Sequence, residues 1–236
     1  RWKTTQQQPR NFVKPIWDGE PLSGRTILLH AEQGMGDTIQ FIRYASLVKR
    51  FGGKVMVECP KPFLPLLGSC RDLDELIGYG GELPAFDVHA PLLSLPRILG
   101  TTIDSIPADV PYLFAESALV AEWTSKLSHV KGYRIGINWR GRAGVGNFRQ
   151  RDIPLSSFAG IAAIPGVQLI SLHKGAGEQD LMNEGSGMQI VDLGSEIDQD
   201  RGAFMDTAAI MKNLDLVITS DTSIATLAGS LAVPVW

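Results

Sequence analysis

A glycine turn flanked by carboxylates is the first stretch of the chain that could do chemistry. It reads Glu32-Gln33-Gly34-Met35-Gly36-Asp37 and follows the short apolar run 26–30. The glycines suit a tight turn, and Asp37 is of the residue type that caps a helix, here the one predicted from Thr38. Held over a substrate hydroxyl, the Asp37 carboxylate would act as a general base; alternatively, it only caps its helix.

The same turn does not fit the glycine fingerprint of dinucleotide-binding proteins. Ile39 occupies the third glycine position, and the carboxylates of Glu32 and Asp37 would repel a pyrophosphate. The turn is therefore better suited to presenting a carboxylate than to cradling a phosphate.

An arginine-rich loop at 140–152 is the second candidate. It contains Arg140, Arg142, Arg149 and Arg151, and arginine suits bidentate phosphate binding. The loop is interpreted as a clamp on a phosphorylated ligand, as a nucleic-acid contact, or as a solvated loop without a ligand. The net charge of −3 and the single basic patch argue against nucleic acid.

Two further polar turns follow predicted strands. Ser220-Asp221-Thr222-Ser223 opens a helix after strand 214–219, so its free N–H groups and hydroxyls form either an anion site or a plain cap. His173-Lys174-Gly175 follows strand 167–172, and Glu178 beyond it either accepts hydrogen bonds from ribose hydroxyls or belongs to a polar turn. The histidines show no metal-ligand spacing, so no metal site is predicted.

Strands and helices alternate along the chain, which predicts parallel sheets. The pattern runs twice and indicates an α/β protein with two Rossmann-like domains. We expect a lead-in segment at 1–24, a first domain at 25–130 and a second at 131–236. The predicted strands are 26–30, 54–59, 75–79, 86–90, 133–139, 167–172, 189–193 and 214–219. The main predicted helices are 38–50, 117–127, 155–164, 202–212 and 223–231.

The composition is that of an ordinary soluble globular chain. Hydrophobic residues make up 44% and charged residues 20%, and no run of about 18 apolar residues predicts a transmembrane segment. Two cysteines are too few for a disulfide framework, which favours a cytoplasmic location. The chain starts without Met and stops within a strand-like stretch at 233–236, so we expect a piece of a longer protein with an incomplete second domain.

The order of these motifs resembles the family-nine, heptosyltransferase-like glycosyltransferases. More closely, it resembles the glycosyltransferase-like domain found C-terminal to bacterial tetratricopeptide-repeat proteins. The matching stretches are Trp17-Asp18-Gly19, Leu22-Ser23-Gly24-Arg25, 29–41 (Leu-His-Ala-Glu-Gln-Gly-Met-Gly-Asp-Thr-Ile-Gln-Phe), 91–96 (Pro-Leu-Leu-Ser-Leu-Pro), Asp192-Leu193-Gly194, and 215–218 (Asp-Leu-Val-Ile) leading into Ser220-Asp221-Thr222.

This resemblance implies a GT-B fold with the active site in a cleft between two Rossmann-like domains. It implies a metal-independent, inverting transfer from a nucleotide-diphosphate sugar, without a cofactor, to an acceptor such as a glycan, a lipid-linked sugar or a protein. Asp37 would be the general base, Arg151 would meet the donor diphosphate, and Glu178 would bind the ribose. The acceptor-side loop would comprise Glu32, Gln33, Gly34 and Gly36. The other donor-side residues would be Lys174, Asp221, Thr222 and Ser223.

One position departs from the family pattern. Four residues after the Thr of the Asp-Thr motif the family usually has a His, and this chain has Thr226. The departure favours an alternative in which the domain is catalytically inactive and binds a nucleotide sugar or a protein partner. An epimerase on the same fold would need a second acid/base group beside Asp37.

Overall fold

The computed structural model describes residues 12–141, 151–174, 178–183, 187–194 and 197–236, with the backbone alone at 178 and 179. The chain divides into two compact units, residues 1–113 and 114–236. The sequence places this boundary at 130. The structure places it earlier because the helix at 117–126 packs within the second unit, where Trp123 Nε1 donates a hydrogen bond of 2.9 Å to Asp206 Oδ1.

The described part of the first unit contains a four-stranded parallel sheet in the order β3-β2-β1-β4. Its strands are β1 Thr26–His30, β2 Lys54–Cys59, β3 Glu75–Gly78 and β4 Val88–Pro91. Strands β1 and β2 pair from Thr26 opposite Lys54 to His30 opposite Glu58. The central strands are apolar along most of their length, as expected of strands that are covered on both faces.

The helices of the first unit are short. They are α1 Met35–Phe41, α2 Ala45–Lys49, α3 Leu64–Leu67 and α4 Leu95–Ile98. The single helix predicted from Thr38 is in fact α1 and α2 joined by a 3-10 turn at Ile42–Tyr44. Its apolar residues Ile39, Ile42, Ala45 and Val48 recur every third position, a spacing that matches three residues per 3-10 turn.

The described part of the lead-in segment, 12–24, packs onto the first sheet. Trp17 is buried, and its indole donates to the Glu20 carbonyl oxygen at 2.8 Å. Backbone hydrogen bonds tie this segment to His89 in β4. The Ile16 side chain is 62% exposed, and its backbone pairs with His89 of β4.

The second unit repeats the first arrangement, with a parallel sheet in the order β7-β6-β5-β8. Its strands are β5 Tyr133–Asn138, β6 Val167–Ser171, β7 Ile190–Asp192 and β8 Leu216–Thr219. Its helices are α5 Ser117–Lys126, α6 Ala159–Ala162, α7 Glu178–Asn183, α8 Met205–Met211 and α9 Ser223–Ser230. The large aromatic side chains of Trp139, Phe158 and Trp123 are buried in this unit.

At the amino edge of each sheet, two backbones approach so closely that only glycine fits. A Cβ on Gly53, just before β2, would lie 2.4 Å from the Arg25 carbonyl oxygen, and one on Gly132, just before β5, would lie 2.2 Å from the Gly166 carbonyl oxygen. Real Cβ atoms do not come so near. Direct backbone contact therefore fixes the start of the strand pairs β1–β2 and β5–β6.

The predicted α/β class with two Rossmann-like parallel sheets is confirmed. Within the residues that the structure describes, no helix is both long enough and apolar enough to cross a bilayer.

Candidate functional site

The turn between β1 and α1 carries the carboxylate that the sequence proposes as a general base. Helix α1 begins after Gly34, which is its N-cap, so Asp37 is the third residue of the helix. The prediction that Asp37 itself is the N-cap is therefore wrong. Its Oδ2 instead accepts a hydrogen bond from the Gly34 N–H at 3.1 Å, the backward contact that a capping box uses. The half-buried carboxylate thus stabilises the start of α1.

The carboxyl edge of the first sheet is acidic around this turn. Glu32 is 6% exposed and Glu58, at the end of β2, is also buried. Gln33, Gly36 and the Asp37 side chain are half-buried, whereas Gly34 is exposed. The backbone of the turn is held by Tyr79, whose hydroxyl donates to the Ala31 carbonyl oxygen at 2.7 Å. Buried and half-buried carboxylates disfavour a phosphate here, in agreement with the sequence argument.

Two histidines pack beside the turn. His30 Nε2 lies 3.3 Å from His89 Nδ1, so one ring donates and the other accepts. Phe12 lies against both rings, with centroid distances of 5.3 and 4.8 Å. Burial lowers the pKa of His89, which favours its neutral form. The two histidines are therefore a packed part of the sheet edge.

Asn138, the last residue of β5, is the centre of a hydrogen-bond network in the second unit. Its Nδ2 lies 3.1 Å from Thr222 Oγ1, 3.2 Å from Thr219 Oγ1 and 3.2 Å from the Arg140 carbonyl oxygen. Its Oδ1 lies 3.3 Å from His173 Nδ1. One side chain therefore connects the residues that follow β5, β6 and β8, the edge at which parallel sheets bind ligands.

Thr222 caps helix α9. Its Oγ1 accepts a hydrogen bond from the Ile224 N–H at 3.3 Å, and the first turn of α9 contains no acidic residue. Ser223 is the first residue of the helix, and its carbonyl oxygen accepts from the Thr226 hydroxyl at 2.9 Å. The positive end of the helix dipole and the remaining first-turn N–H groups favour an anion at this point.

Arg151 lies beside this helix start. Its Nη1 is 3.1 Å from Asp221 Oδ2 and 3.4 Å from the Asp221 carbonyl oxygen. The Asp221 side chain is 80% exposed, and a pair of this kind is worth only about 0–1 kcal/mol. A multiply charged diphosphate could therefore displace the Asp221 carboxylate from the guanidinium at little cost.

A second cation and two aromatic rings form the neighbouring part of the edge. The His173 ring lies on Trp139, with centroids 4.8 Å apart. Trp139 Nε1 donates to Asp180 Oδ2 at 2.9 Å, and Arg140 Nη2 lies 3.0 Å from the same oxygen. Burial, together with the positive charge of Arg140, lowers the pKa of His173. The lowered pKa favours the neutral imidazole, and the contact with Trp139 orients the ring.

Two further residues predicted for the donor side are Lys174 and Glu178. Lys174 Nζ donates to the Asp198 carbonyl oxygen at 2.6 Å, which orders the Lys174 side chain. Glu178 begins α7, but its side chain lies outside the described part of the chain, as do Arg142 and Arg149. The structure thus brings Arg151, Asp221, Thr222 and Ser223 together, and the roles proposed for all these residues stay predictions.

Asn138 was missed by the sequence reasoning. Its side-chain partners His173, Thr219 and Thr222 lie 35, 81 and 84 residues further along the chain, and no local pattern connects them. The available signal was one amide residue that ends the otherwise apolar strand Tyr133–Asn138. A polar residue at the carboxyl end of a central parallel strand therefore merits inspection whenever a site is sought from sequence.

The comparisons with known proteins concern the fold. No protein-family model matches the chain. Protein FlbA of Caulobacter vibrioides is 24% identical over an alignment of 246 positions, which covers 93% of this chain and 40% of FlbA. The chain therefore spans less than half the length of that relative.

Solved structures resemble both units together. The glycosyl transferase family 9 protein of Veillonella parvula has a TM-score of 0.69 at 12% identity, covering 89% of this chain and 80% of that protein. E. coli ADP-heptose LPS heptosyltransferase II has a TM-score of 0.62 at 11% identity, covering 89% and 83%. E. coli heptosyltransferase WaaC, solved with ADP-2-deoxy-2-fluoro heptose, has a TM-score of 0.58 at 9% identity, covering 89% and 87%. The chain has the two-domain α/β fold of these glycosyltransferases, and the predicted GT-B-like class is confirmed.

Proposed function

We propose that this chain is a glycosyltransferase domain that transfers a sugar from a nucleotide-diphosphate sugar to an acceptor. The observation that carries the proposal is the network around Asn138. It holds the Thr222 hydroxyl at the start of α9, at the carboxyl edge of a parallel sheet. Together with Arg151, this arrangement provides a cation, a hydroxyl and helix N–H groups for a diphosphate.

In this proposal the second unit binds the donor. Arg151, Thr222 and the first-turn N–H groups of α9 contact the diphosphate oxygens. Lys174 adds a cation, and Glu178 accepts from the ribose hydroxyls. Ser223 and Asp221 flank the phosphate contacts. The ion pair between Asp221 and Arg151 breaks when the donor binds. The solved complex of WaaC with an ADP sugar analogue supports a nucleotide sugar as the class of donor.

The first unit supplies the base. The acceptor hydroxyl oxygen attacks the anomeric carbon while the bond from that carbon to the diphosphate oxygen breaks, which inverts the configuration. Asp37 takes the hydroxyl proton, and the nucleoside diphosphate leaves with the bonding electron pair. Arg151, Thr222 and the α9 N–H groups stabilise the charge on the leaving group, so that this step needs no metal.

The acceptor and the setting extend the same proposal. We infer a glycan, a lipid-linked sugar or a protein as acceptor, approached by the loop Glu32, Gln33, Gly34 and Gly36. We also infer that the full-length protein is a bacterial cytoplasmic protein with tetratricopeptide repeats. The motif resemblance supports this setting, and the 40% coverage of FlbA is compatible with a larger chain.

Calorimetry of the full-length protein against ADP, GDP and UDP tests the donor site. We expect one of the three to bind and its sugar conjugates to be turned over. Absence of binding to all three would contradict the proposal. The Arg151→Gln variant is the matched control, because it removes the cation at an exposed position and should weaken the binding that is observed.

A non-catalytic module is the second candidate, and one observation favours it. Thr226 stands where the resembling family has a His, and its hydroxyl is occupied by the Ser223 carbonyl oxygen. The position therefore lacks both the imidazole charge and a free donor. Nucleotide binding without donor turnover would identify this second function. A Thr226→His variant that gains turnover would locate the cause.

A further inference from the structure

The hydroxyl of Thr222 has a defined direction because donors occupy its oxygen. Asn138 Nδ2 approaches Thr222 Oγ1 at 3.1 Å and the Ile224 N–H approaches it at 3.3 Å. A hydroxyl has two lone pairs and one proton. The Asn138 amide has two protons for three acceptors, and Thr222 Oγ1 is the nearest of them. When this N–H and that of Ile224 are directed at its lone pairs, Thr222 has only its proton to offer.

The neighbouring hydroxyl reinforces this direction. Thr219 Oγ1 donates its proton to the Ser220 carbonyl oxygen at 3.0 Å and lies 3.2 Å from Asn138 Nδ2. It lies 3.2 Å from Thr222 Oγ1, so the Thr222 proton points either to Thr219 or out to a ligand. An oxyanion is the better acceptor, and a bound phosphate would take this proton.

The orientation of the Asn138 amide decides whether this pattern exists. If the amide were turned over, its oxygen would face the Arg140 carbonyl oxygen, and the hydroxyls of Thr219 and Thr222 would lose their N–H donor. His173 opposes that rotation, because its Nδ1 lies 3.3 Å from Asn138 Oδ1 and must carry the proton to make a hydrogen bond. The ring is held against Trp139.

The other ring nitrogen completes the assignment. His173 Nε2 is buried and has no hydrogen-bond partner among the residues that the structure describes. A proton on Nε2 would be buried without an acceptor, which costs free energy. The tautomer protonated on Nδ1 alone satisfies both nitrogens best.

We propose that His173 and Asn138 are positioning residues of the donor site: the Nδ1–H tautomer of His173 fixes the Asn138 amide, which turns the Thr222 proton toward a phosphate oxygen of the donor. The inference rests on the proposed function, because it assigns a purpose to the same site. Neither residue needs to touch the ligand.

The charges around the His173 ring shift the equilibrium between its neutral and its protonated form. Among the described residues, Arg140 disfavours a charged His173, whereas Asp180, Asp152 and Asp192 favour it. Burial is the largest influence, and the pKa of His173 is lowered overall. The neutral ring is therefore the form present at neutral pH.

Nitrogen-15 NMR of the His173 ring tests the tautomer without any ligand. In the full-length protein at pH 7.5, we expect the Nδ1–H form, with Nε2 showing the shift of an unprotonated nitrogen. A ring protonated on Nε2 at that pH would overturn the inference, whatever the protein binds.

Matched variants test the consequence for binding, with the nucleoside diphosphate that binds best among ADP, GDP and UDP as the probe. His173→Leu removes the donor to Asn138 and should weaken binding about fivefold, the effect of one neutral hydrogen bond. His173→Gln retains an N–H donor and should stay within about twofold of the wild type. Asn138→Asp leaves Thr219 and Thr222 facing a carboxylate and should weaken binding on the order of a hundredfold.

Each outcome has one meaning. If His173→Leu binds as tightly as the wild type, the positioning role is overturned while the proposed donor site stands. If His173→Gln binds as weakly as His173→Leu, packing and not the N–H group is responsible, which also overturns it. If the wild type binds no nucleoside diphosphate, the proposed function fails and this inference fails with it. Equal melting temperatures of the two His173 variants establish that both are folded.

Discussion

The two sheets have the same strand order, yet their carboxyl edges carry different polar groups. In the first unit the edge is lined by the carboxylates of Glu32, Asp37 and Glu58. In the second it carries Arg140 and Arg151, each paired with an aspartate, and the Thr222 hydroxyl. Both edges follow apolar parallel strands with the same topology. Strand order therefore fixes where a ligand can bind, and the few residues that follow each strand decide which kind of ligand.

The two helix starts show the same contrast at closer range. At α1 the N-cap is Gly34, and the carboxylate of Asp37 occupies the exposed N–H group. At α9 the Thr222 hydroxyl caps one N–H group, and no carboxylate lies in the first turn. An acidic first turn satisfies its own helix dipole, whereas α9 leaves part of that dipole available to an anion.

The largest effect is expected at the acidic edge. Asp37→Asn keeps an oxygen that can accept from the Gly34 N–H but removes the base, so donor turnover should fall by about a hundredfold or more. Nucleoside diphosphate affinity should not change, since the residues of the proposed donor site belong to the other unit. A turnover assay paired with calorimetry measures both quantities. Unchanged turnover would remove Asp37 from the mechanism.

At the carboxyl edge of the second sheet, removing a positive charge and removing a negative charge should have opposite effects on nucleoside diphosphate binding. Arg151→Gln should weaken nucleoside diphosphate binding by about tenfold or more, the effect of losing one charged hydrogen bond. Asp221→Asn frees Arg151 from its carboxylate and should tighten binding by about threefold, since an exposed ion pair is weak. Titration calorimetry at low salt measures both changes. If the two variants shifted affinity in the same direction, the proposed competition for Arg151 would be wrong.

The capping difference predicts a loss of stability in the second unit alone. Thr222→Val removes the acceptor of the Ile224 N–H and should lower the free energy of unfolding by about 1 kcal/mol. Thr226→Val is the matched control, because its hydroxyl donates to the Ser223 carbonyl oxygen within the same helix and its loss should cost about half as much or less. Urea denaturation followed by circular dichroism measures both, and equal losses would contradict the capping role.

The smallest effect is a pH dependence that both units share. His89 and His173 have pKa values lowered from 6.5 in the folded chain, so below pH 6.5 the unfolded chain takes up protons that the folded chain does not. The contribution of these histidines to the free energy of unfolding should therefore have its full value above pH 6.5. It should fall as the pH drops toward their lowered pKa values. The slope per histidine is at most about 1.4 kcal/mol per pH unit.

Denaturation at pH 7.5, 6.5 and 5.5 measures this dependence. His89→Gln should reduce the slope of the first unit and His173→Gln that of the second. A stability that increases on acidification through this range would show that other groups dominate.

The sequence predicted the elements better than the contacts between them. Strands such as β2 at Lys54–Cys59 are confirmed to the residue, because a short apolar run between turns has one good explanation. The start of α1 was misplaced, since Asp37 is as favourable three residues into a helix as at its cap, and only the backbone geometry at Gly34 distinguishes the two.

The candidate site shows the same limit. Thr222 was found from its strand–turn–helix context, which is local. The Asn138 amide and the Nδ1 atom of His173 were not, because their meeting depends on the order of β6, β5 and β8 in the sheet. A sequence gives the residues at each strand end, but the neighbours across the sheet follow from topology.

The close backbone contacts at Gly53 and Gly132 separate positions that admit no side chain from positions where side chains can be exchanged. At these positions any side chain would separate the paired strands, so every substitution there is expected to disrupt the sheet. At the carboxyl edge the polar side chains lie beyond the last strand residues, and exchanging them leaves strand pairing intact. A saturation library should therefore tolerate almost nothing at 53 and 132, yet yield folded variants with new ligand preferences at 140, 151 and 221. The protein would then serve as a scaffold. Substitutions at the carboxyl edge of the second sheet would change its ligand preference and leave the fold unchanged.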